Sequence, residues 1–276
     1  MYNEELIKEA LSKDSFYKKD INTCITLQDK LRWLNVNNIS DEKIICADKI
    51  AVKDYVLNTI GKDIYTKVYN IYKSVDEIKV SELPRKFIMK INNGCSKNIF
   101  CFDKNNFDLN KYKDTLKDWL SKTPGLTTRE YQYTGIEPKI FTEELLINSK
   151  EESLIDYRLW CFNNKVQLIS VNNGHGWGAT SYFDKDFKYM DVVNSANHHS
   201  FTSKENIFEK PLNFELMKTY AEQLSKPFKF VRVDMYNING KIYLGEMSFS
   251  PGGYCFHLNK WDGTSLDEYY GNLLKI

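Results

Sequence analysis

Residues 231–253, VRVDMYNINGKIYLGEMSFSPGG, contain two runs of alternating side chains on either side of Asn239-Gly240. Asn-Gly between two such runs is a strong short-range signal for a β-hairpin. Counting from Asp234, Glu246 lies across the turn on the partner strand and Ser248 follows two residues later, so alternation lets all three point to one face. Arg232, two residues before Asp234, joins that face. Two carboxylates and a hydroxyl suit a hard cation such as Mg²⁺ bound together with substrate phosphates. The arginine beside them suits an oxyanion or phosphoryl group. Pro251-Gly252-Gly253 then lets backbone approach a ligand closely. An ordinary Arg/Asp/Glu network on a solvated hairpin has the same spacing, and spacing alone leaves both readings open.

The rest of the chain alternates hairpins with helices. Up to about residue 45, Leu6, Ala10 and Leu11, then Leu27, Leu31 and Leu34, recur at helical spacing and predict two or three short helices. Asp48 to Ile60 predicts one more, stopped by Gly61. Residues 86–103 read as a hairpin turning at Asn92-Asn93-Gly94. Residues 108–121 read as a helix covering that hairpin and ended by Pro124-Gly125. Residues 138–147 begin as a strand, and 155–171 form a hairpin through Asn163-Asn164. Residues 212–226 are an amphipathic helix. The stretch 174–208, rich in Gly, Ser, Asn and His, is expected to be loop; His175, Trp177, His198 and His199 fall there and read as loop side chains. No βαβ rhythm appears, so the fold class is α+β on antiparallel sheet, two lobes meeting at a cleft. The expected divisions are a helical segment 1–47, a lobe 48–140 and a lobe 141–276.

Composition excludes several function classes. Lys plus Arg number 38 against 37 Asp plus Glu in 276 residues, so no global field draws the chain to nucleic acid or an anionic membrane. No apolar run has the length of a membrane span, and the N-terminus lacks a signal-peptide pattern. The 6 cysteines include no CxxC pair, which suits a reducing cytoplasm. Cys95 lies in the 92–96 turn, with no histidine placed by sequence to make it a nucleophile.

The 231–253 segment resembles the metal-binding hairpin of the ATP-grasp superfamily, whose D-alanine ligase members carry R-x-D and then E-x-N-x-x-P-G. Here Arg232-x-Asp234 and Glu246-x-Ser248-x-x-Pro251-Gly252 keep the order and spacing, with Ser248 where that pattern has Asn. The phrases ADKIAVKDYV, LPRKFIMKINNG and DYRLWCFNNK extend the resemblance to the TupA-like branch, associated with teichuronopeptide synthesis, over nearly all the chain after residue 45. Fewer than 50 residues precede Asp48, too few for the full N-terminal α/β domain of the general plan. The resemblance implies a nucleotide cleft in which Lys53 and Lys90 contact phosphates beneath a flexible loop containing Ser96. Glu143, Glu144 and Leu146 would read the adenine and Asp156 the ribose. Asp234, Glu246 and Ser248 would hold one or two Mg²⁺, and Arg232 with the Gly252 backbone would hold an acyl phosphate.

The implied activity is ATP-dependent joining of a carboxylate, a hexuronic acid of a nucleotide sugar or surface polysaccharide, to an amine, either an amino acid or an amino alcohol. A phosphotransferase acting on a hydroxyl, or a non-catalytic partner of a glycosyltransferase, would retain the same motifs.

Overall fold

The structure is a computed structural model and describes residues 4–147, 154–173, 180–194 and 208–276. Helices α1 (Glu4–Ser12), α2 (Leu27–Asn37), α3 (Asp41–Ala47) and α4 (Val52–Ile60) come first. Thr26 and Ser40 cap α2 and α3 by accepting from the amides of Asp29 and Lys43, which satisfies donors that the first helical turn cannot. The helix expected from Asp48 starts later, at Val52. The Asp48 carboxylate accepts from the Ile50 and Ala51 amides at 2.7 and 3.2 Å and folds 48–51 into a turn. Gly61, at φ +65°, stops α4 as its sequence position implies.

A four-stranded antiparallel sheet contains β1 (Val68–Tyr72), β2 (Phe87–Ile91), β3 (Asn98–Cys101) and β4 (Ile140–Glu143), in the order β1-β4-β2-β3. Phe87, Met89, Ile91, Ile99, Cys101 and Ile140 pack on Leu116 of helix α5 (Lys113–Ser121). The helix covers the hairpin as expected. Pro124 does more than terminate it. With φ already restricted and no amide to lose, it occupies the first turn of the short helix α6 (Pro124–Thr128).

The second sheet has six strands: β5 (Asp156–Phe162), β6 (Lys165–Asn172), β7 (Thr180–Phe183), β8 (Tyr189–Met190), then, after the short β9 (Val192–Asn194) and helix α7 (Phe214–Leu224), β10 (Phe230–Ile238) and β11 (Lys241–Ser248). Their order is β11-β10-β5-β6-β7-β8, and β9 pairs separately with β12 (Leu258–Lys260). The three strands within 180–194 correct the expectation of loop. Each has only two to four residues, too few for a period to emerge, and each is fixed by its partner's ladder. His175, Trp177, His198 and His199 lie outside the described residues.

One face of this sheet, with Leu159, Cys161, Val231, Val233 and Met247, packs on Phe214, Met217, Ala221 and Leu224 of α7. The opposite face, with Trp160, Phe162 and Phe230, packs on Leu27, Leu31 and Leu34 of α2 and on Tyr270 of helix α8 (Asp267–Leu273). The approach of α8 to α2 is tight, since a Cβ on Gly271 would lie 2.2 Å from the Ile25 carbonyl oxygen. Gly271→Ala should therefore lower unfolding free energy by about 1–3 kcal/mol. Urea denaturation measures this, and an unshifted midpoint would mean that the N-terminal helices do not depend on that contact.

Candidate functional site

The ladder places the hairpin's polar residues in rows. Asp234 pairs with Glu246 on one side and Arg158 on the other, while Arg232 pairs with Ser248 and Trp160. Asp156, opposite Tyr236, opens the adjoining row. The alternation expected from sequence does not by itself bring these residues together, because a regular ladder from the Asn239-Gly240 turn would set Asp234 opposite Gly245 and leave Glu246 on the other face. The register instead shifts between Asp234 and Met235, skipping Gly245. This bulge turns Glu246 toward Asp234. A side chain at position 245 would crowd the Tyr236 ring at 3.2 Å and the Asp234 carbonyl at 3.3 Å.

Arg232 donates to both oxygens of Asp234, through Nε at 2.7 Å and Nη2 at 2.5 Å, and reaches Glu246 Oε1 at 3.5 Å. Arg158 Nε donates to Asp156 Oδ2 at 2.8 Å, leaving the buried Asp156 Oδ1 without a hydrogen-bond partner. Burial pushes the Asp234 carboxyl up, and the neighbouring acids Asp156 and Glu246 add to this against the pull of Arg232. Burial acts the same way on Glu246, but Lys49, Arg232 and Arg158 outweigh it and hold the group below the usual carboxylate value. Among the described residues no three His, Cys, Asp or Glu side chains converge closely enough to hold a metal unaided. The oxygen donors of Asp234, Glu246 and Ser248, with the unpartnered Asp156 Oδ1 alongside, fit a Mg²⁺ that takes its remaining ligands from phosphates and water. Asp234 would have to loosen from Arg232 to contribute.

A cavity of about 510 Å³, within the usual range for small-molecule sites, opens between the two sheets. Lys53, Lys90, Glu143, Glu144 and Leu146 all line it, as do Tyr236 and Gly245 of the hairpin. On β2 and β4 alternation sends Lys90 and Glu143 into the cavity while Met89 and Ile140 enter the core. Glu143 is buried and fully engaged. It accepts from Lys90 Nζ at 2.6 Å through Oε1, and from Thr66 Oγ1 at 2.5 Å and Lys53 Nζ at 3.3 Å through Oε2. Burial raises its pKa, but the two lysines and the hydroxyl more than reverse this and hold it below 4.5.

Ser96, exposed at φ +58°, and Gly252, at φ +59° with open space where a Cβ would stand, do not line the cavity. The loop bearing Ser96 is anchored at its base. Fully buried Asn92 donates to Asp48 Oδ2 at 2.9 Å and to the Glu137 carbonyl at 3.1 Å, and accepts from the Lys139 amide at 2.7 Å. Lys49 adds a link that sequence reading missed. Its Nζ donates to the Gly94 carbonyl, lies 3.9 Å from Glu246 Oε2 and borders the cavity. Arg158 was missed as well, although its position two residues after Asp156 on an alternating strand was the available signal.

The lowered pKa of Glu143 sets the sign of a pH effect. Its stabilisation is present above about pH 4.5 and is lost as pH falls through the lowered folded value. Glu143→Gln should cost about 2–3 kcal/mol at neutral pH, somewhat under the figure for a fully buried pair because the lysines reach solvent. The difference from the parent should shrink in acid, as measured by urea denaturation across pH; an equal difference at every pH would contradict the charge clamp.

No curated protein matches the chain. Among solved structures it is similar to a D-alanine–D-alanine ligase from Bacillus anthracis, at 17% identity and TM-score 0.46, over 90% of this chain and 73% of that one. The ligase from that organism complexed with ATP matches at 15% and 0.41, over 79% and 57%. A phosphoribosylamine–glycine ligase from Thermotoga maritima matches at 8% and 0.43, over 76% and 49%. Likeness this distant, over part of those longer chains, carries no activity across. A family model for TupA-like ATPgrasp proteins matches residues 29–275, nearly the whole sequence, including both sheets and every candidate residue named above. The chain belongs to the TupA-like ATP-grasp family.

Proposed function

We propose that the protein is an ATP-dependent carboxylate–amine ligase that forms an amide, with ADP and phosphate as the other products. The observation that carries this reading is the Glu143 clamp on Lys53 and Lys90, in a cavity bordered by the same hairpin that aligns Asp234 with Glu246. Two ammonium groups stored on one carboxylate make a site that exchanges one anion for another. When phosphate oxygens arrive, Lys53 and Lys90 can take them while Glu143 keeps the pair aimed into the cavity. Glu144 and Leu146, beside them on the wall, would face the adenine, and Asp156 on β5 would meet the ribose or the adjoining phosphates.

The fold and donor set imply Mg²⁺ at Asp234 and Glu246 with support from Ser248; when bound, it would neutralise charge on the phosphate oxygens. Arg232, released from Asp234, would hold the oxyanion of the carboxylate being activated, assisted by the Gly252 amide. The carboxylate oxygen takes the γ-phosphoryl group and ADP leaves. A free amine then attacks the acyl carbon, and phosphate and a proton depart. The resemblance to proteins of teichuronopeptide synthesis is what supports a surface-polysaccharide setting, with a hexuronic acid as the proposed carboxylate. Among the described residues no helix is long and apolar enough to cross a membrane.

Glu246→Gln should reduce ADP release, with uronate and amine present, by about a hundredfold or more, while the melting temperature stays within a few degrees. Turnover within a few fold of the parent would remove Glu246 from the phosphoryl-transfer site. Mass analysis of the product decides the reaction class, since an amide supports the ligase and a phosphoester overturns it in favour of a phosphotransferase. Ser248→Ala should raise the Mg²⁺ concentration needed for half-maximal turnover more than it alters nucleotide affinity. An unchanged Mg²⁺ requirement would assign Ser248 to packing alone.

A further inference from the structure

A second cavity, of about 230 Å³, lies beside the glycine loop that follows the metal hairpin. Its walls come from parts of the chain that the nucleotide reading leaves unused: Asp14 after α1, Arg32 and Asn35 on α2, Arg129 at the end of α6, and Gly253 with Tyr254. Arg32 rests on the Phe16 ring, 4.3 Å from its centroid. Among the described residues neither Arg32 nor Arg129 has a carboxylate within ion-pair distance. Elsewhere in the site, by contrast, Arg158 and Arg232 are both paired.

The backbone around the cavity is held in costly conformations. Arg129 sits at φ +59° and Tyr254 at φ +67°, a region that penalises residues with a Cβ by about 1–2 kcal/mol each. Buried Asn35 fixes the first, donating to the Arg129 carbonyl at 2.6 Å and accepting from the Tyr131 amide at 3.2 Å. Arg129 is the left-handed C-cap of α6, so helix termination and Asn35 together fix its backbone, and its side chain stands at the cavity with no carboxylate within ion-pair distance among the described residues. The cavity is also tied to the hairpin. Glu130, next to Arg129, accepts from Ser250 Oγ, which in turn accepts from Gln132 Nε2 at 2.8 Å.

The charges select the ligand. Two guanidiniums can take one carboxylate, each presenting a planar fork of donors. The opposite charge comes from Asp14, buried, whose oxygens accept from the Phe16 amide at 2.9 Å and the Tyr131 hydroxyl at 3.2 Å and retain free lone pairs. A plain anion would meet this acid unfavourably, and a plain amine would meet the arginines. A molecule carrying both charges a few bonds apart satisfies all three. The volume falls below the range usual for drug-sized ligands, so a nucleotide sugar does not fit, whereas a free amino acid does.

We propose that this cavity binds a small zwitterionic amino acid, its carboxylate between Arg32 and Arg129 and its ammonium at Asp14. Resting on the ligase reading above, that amino acid is the amine to be joined, which sets amino alcohols aside.

The test is calorimetric titration of the full chain with free amino acids, the matching amino alcohols, propionate and inorganic phosphate, each with and without a non-hydrolysable ATP analogue. At least one amino acid should bind, with its amino alcohol, propionate and phosphate each weaker by about tenfold or more. Arg129→Gln and Arg32→Gln should each weaken the amino acid by about tenfold and leave the ATP analogue's affinity within twofold. Arg129 is exposed, so Arg129→Gln keeps the test open even if Arg32→Gln disturbs packing on Phe16. Phosphate or the amino alcohol binding as tightly as the amino acid would overturn the proposal, as would no amino acid binding or an unchanged affinity in Arg129→Gln. Failure of the ATP analogue to bind the parent protein would instead count against the ligase reading, and the amino acid titrations would still decide this one.

Discussion

One unpaired residue sets the chemistry of the hairpin. Gly245 occupies the point where two residues of β11 oppose one of β10, and that extra residue shifts every later side chain of β11 to the other face. Without it Glu246 would enter the apolar layer beneath α7, where Val233 and Met247 lie, and Asp234 would face Gly245. With it, Arg158, Asp234 and Glu246 form one row and Trp160, Arg232 and Ser248 the next. The position has little room for anything larger, because Tyr236 and the Asp234 carbonyl already crowd it.

The second organising feature is internal charge pairing across the cleft. Glu143 carries Lys53 and Lys90, Arg232 carries Asp234, and Lys49 stands between Glu246 and the loop base at Gly94. Each of these partly buried charges has an opposite charge beside it, shared in the case of the two lysines on Glu143, which limits the desolvation cost of gathering so many ionisable groups. On the proposed ligase reading the same pairs would be exchanged on binding, a polyanion with its cation replacing Glu143 at the lysines and Arg232 at Asp234. Asn92 gives this arrangement a rigid base by joining Asp48, Glu137 and Lys139.

Much of this was legible in the sequence where a short-range rule operates. The Asn239-Gly240 turn, the Phe87–Ile91 strand that aims Lys90 away from the core, and the Gly61 helix stop each follow from a local signal. The joint presence of Lys53, Lys90, Glu143, Glu144 and Leu146 around one cavity came from resemblance, since no period links residues so far apart. What escaped the sequence reading was tertiary. The Gly245 bulge leaves only an isolated strand glycine as its trace. Strands within 180–194 are too short to show alternation, and the later start of α4 depends on one carboxylate bonding two amides. The ties of Glu143 to lysines on separate elements, and of Lys49 to both Gly94 and Glu246, are readable only once the sheets face each other.

The central claim is that the space between the sheets is an ATP site whose lysines and hairpin acids serve one nucleotide. A crystal structure with a non-hydrolysable ATP analogue and Mg²⁺ tests it most directly. The account predicts the base beside Glu144 and Leu146, phosphate oxygens on Lys53 and Lys90, and density for a cation at Asp234 and Glu246 with the Arg232–Asp234 contact loosened. Nucleotide bound elsewhere, or phosphates in this cleft with no cation at Asp234 or Glu246, would contradict it.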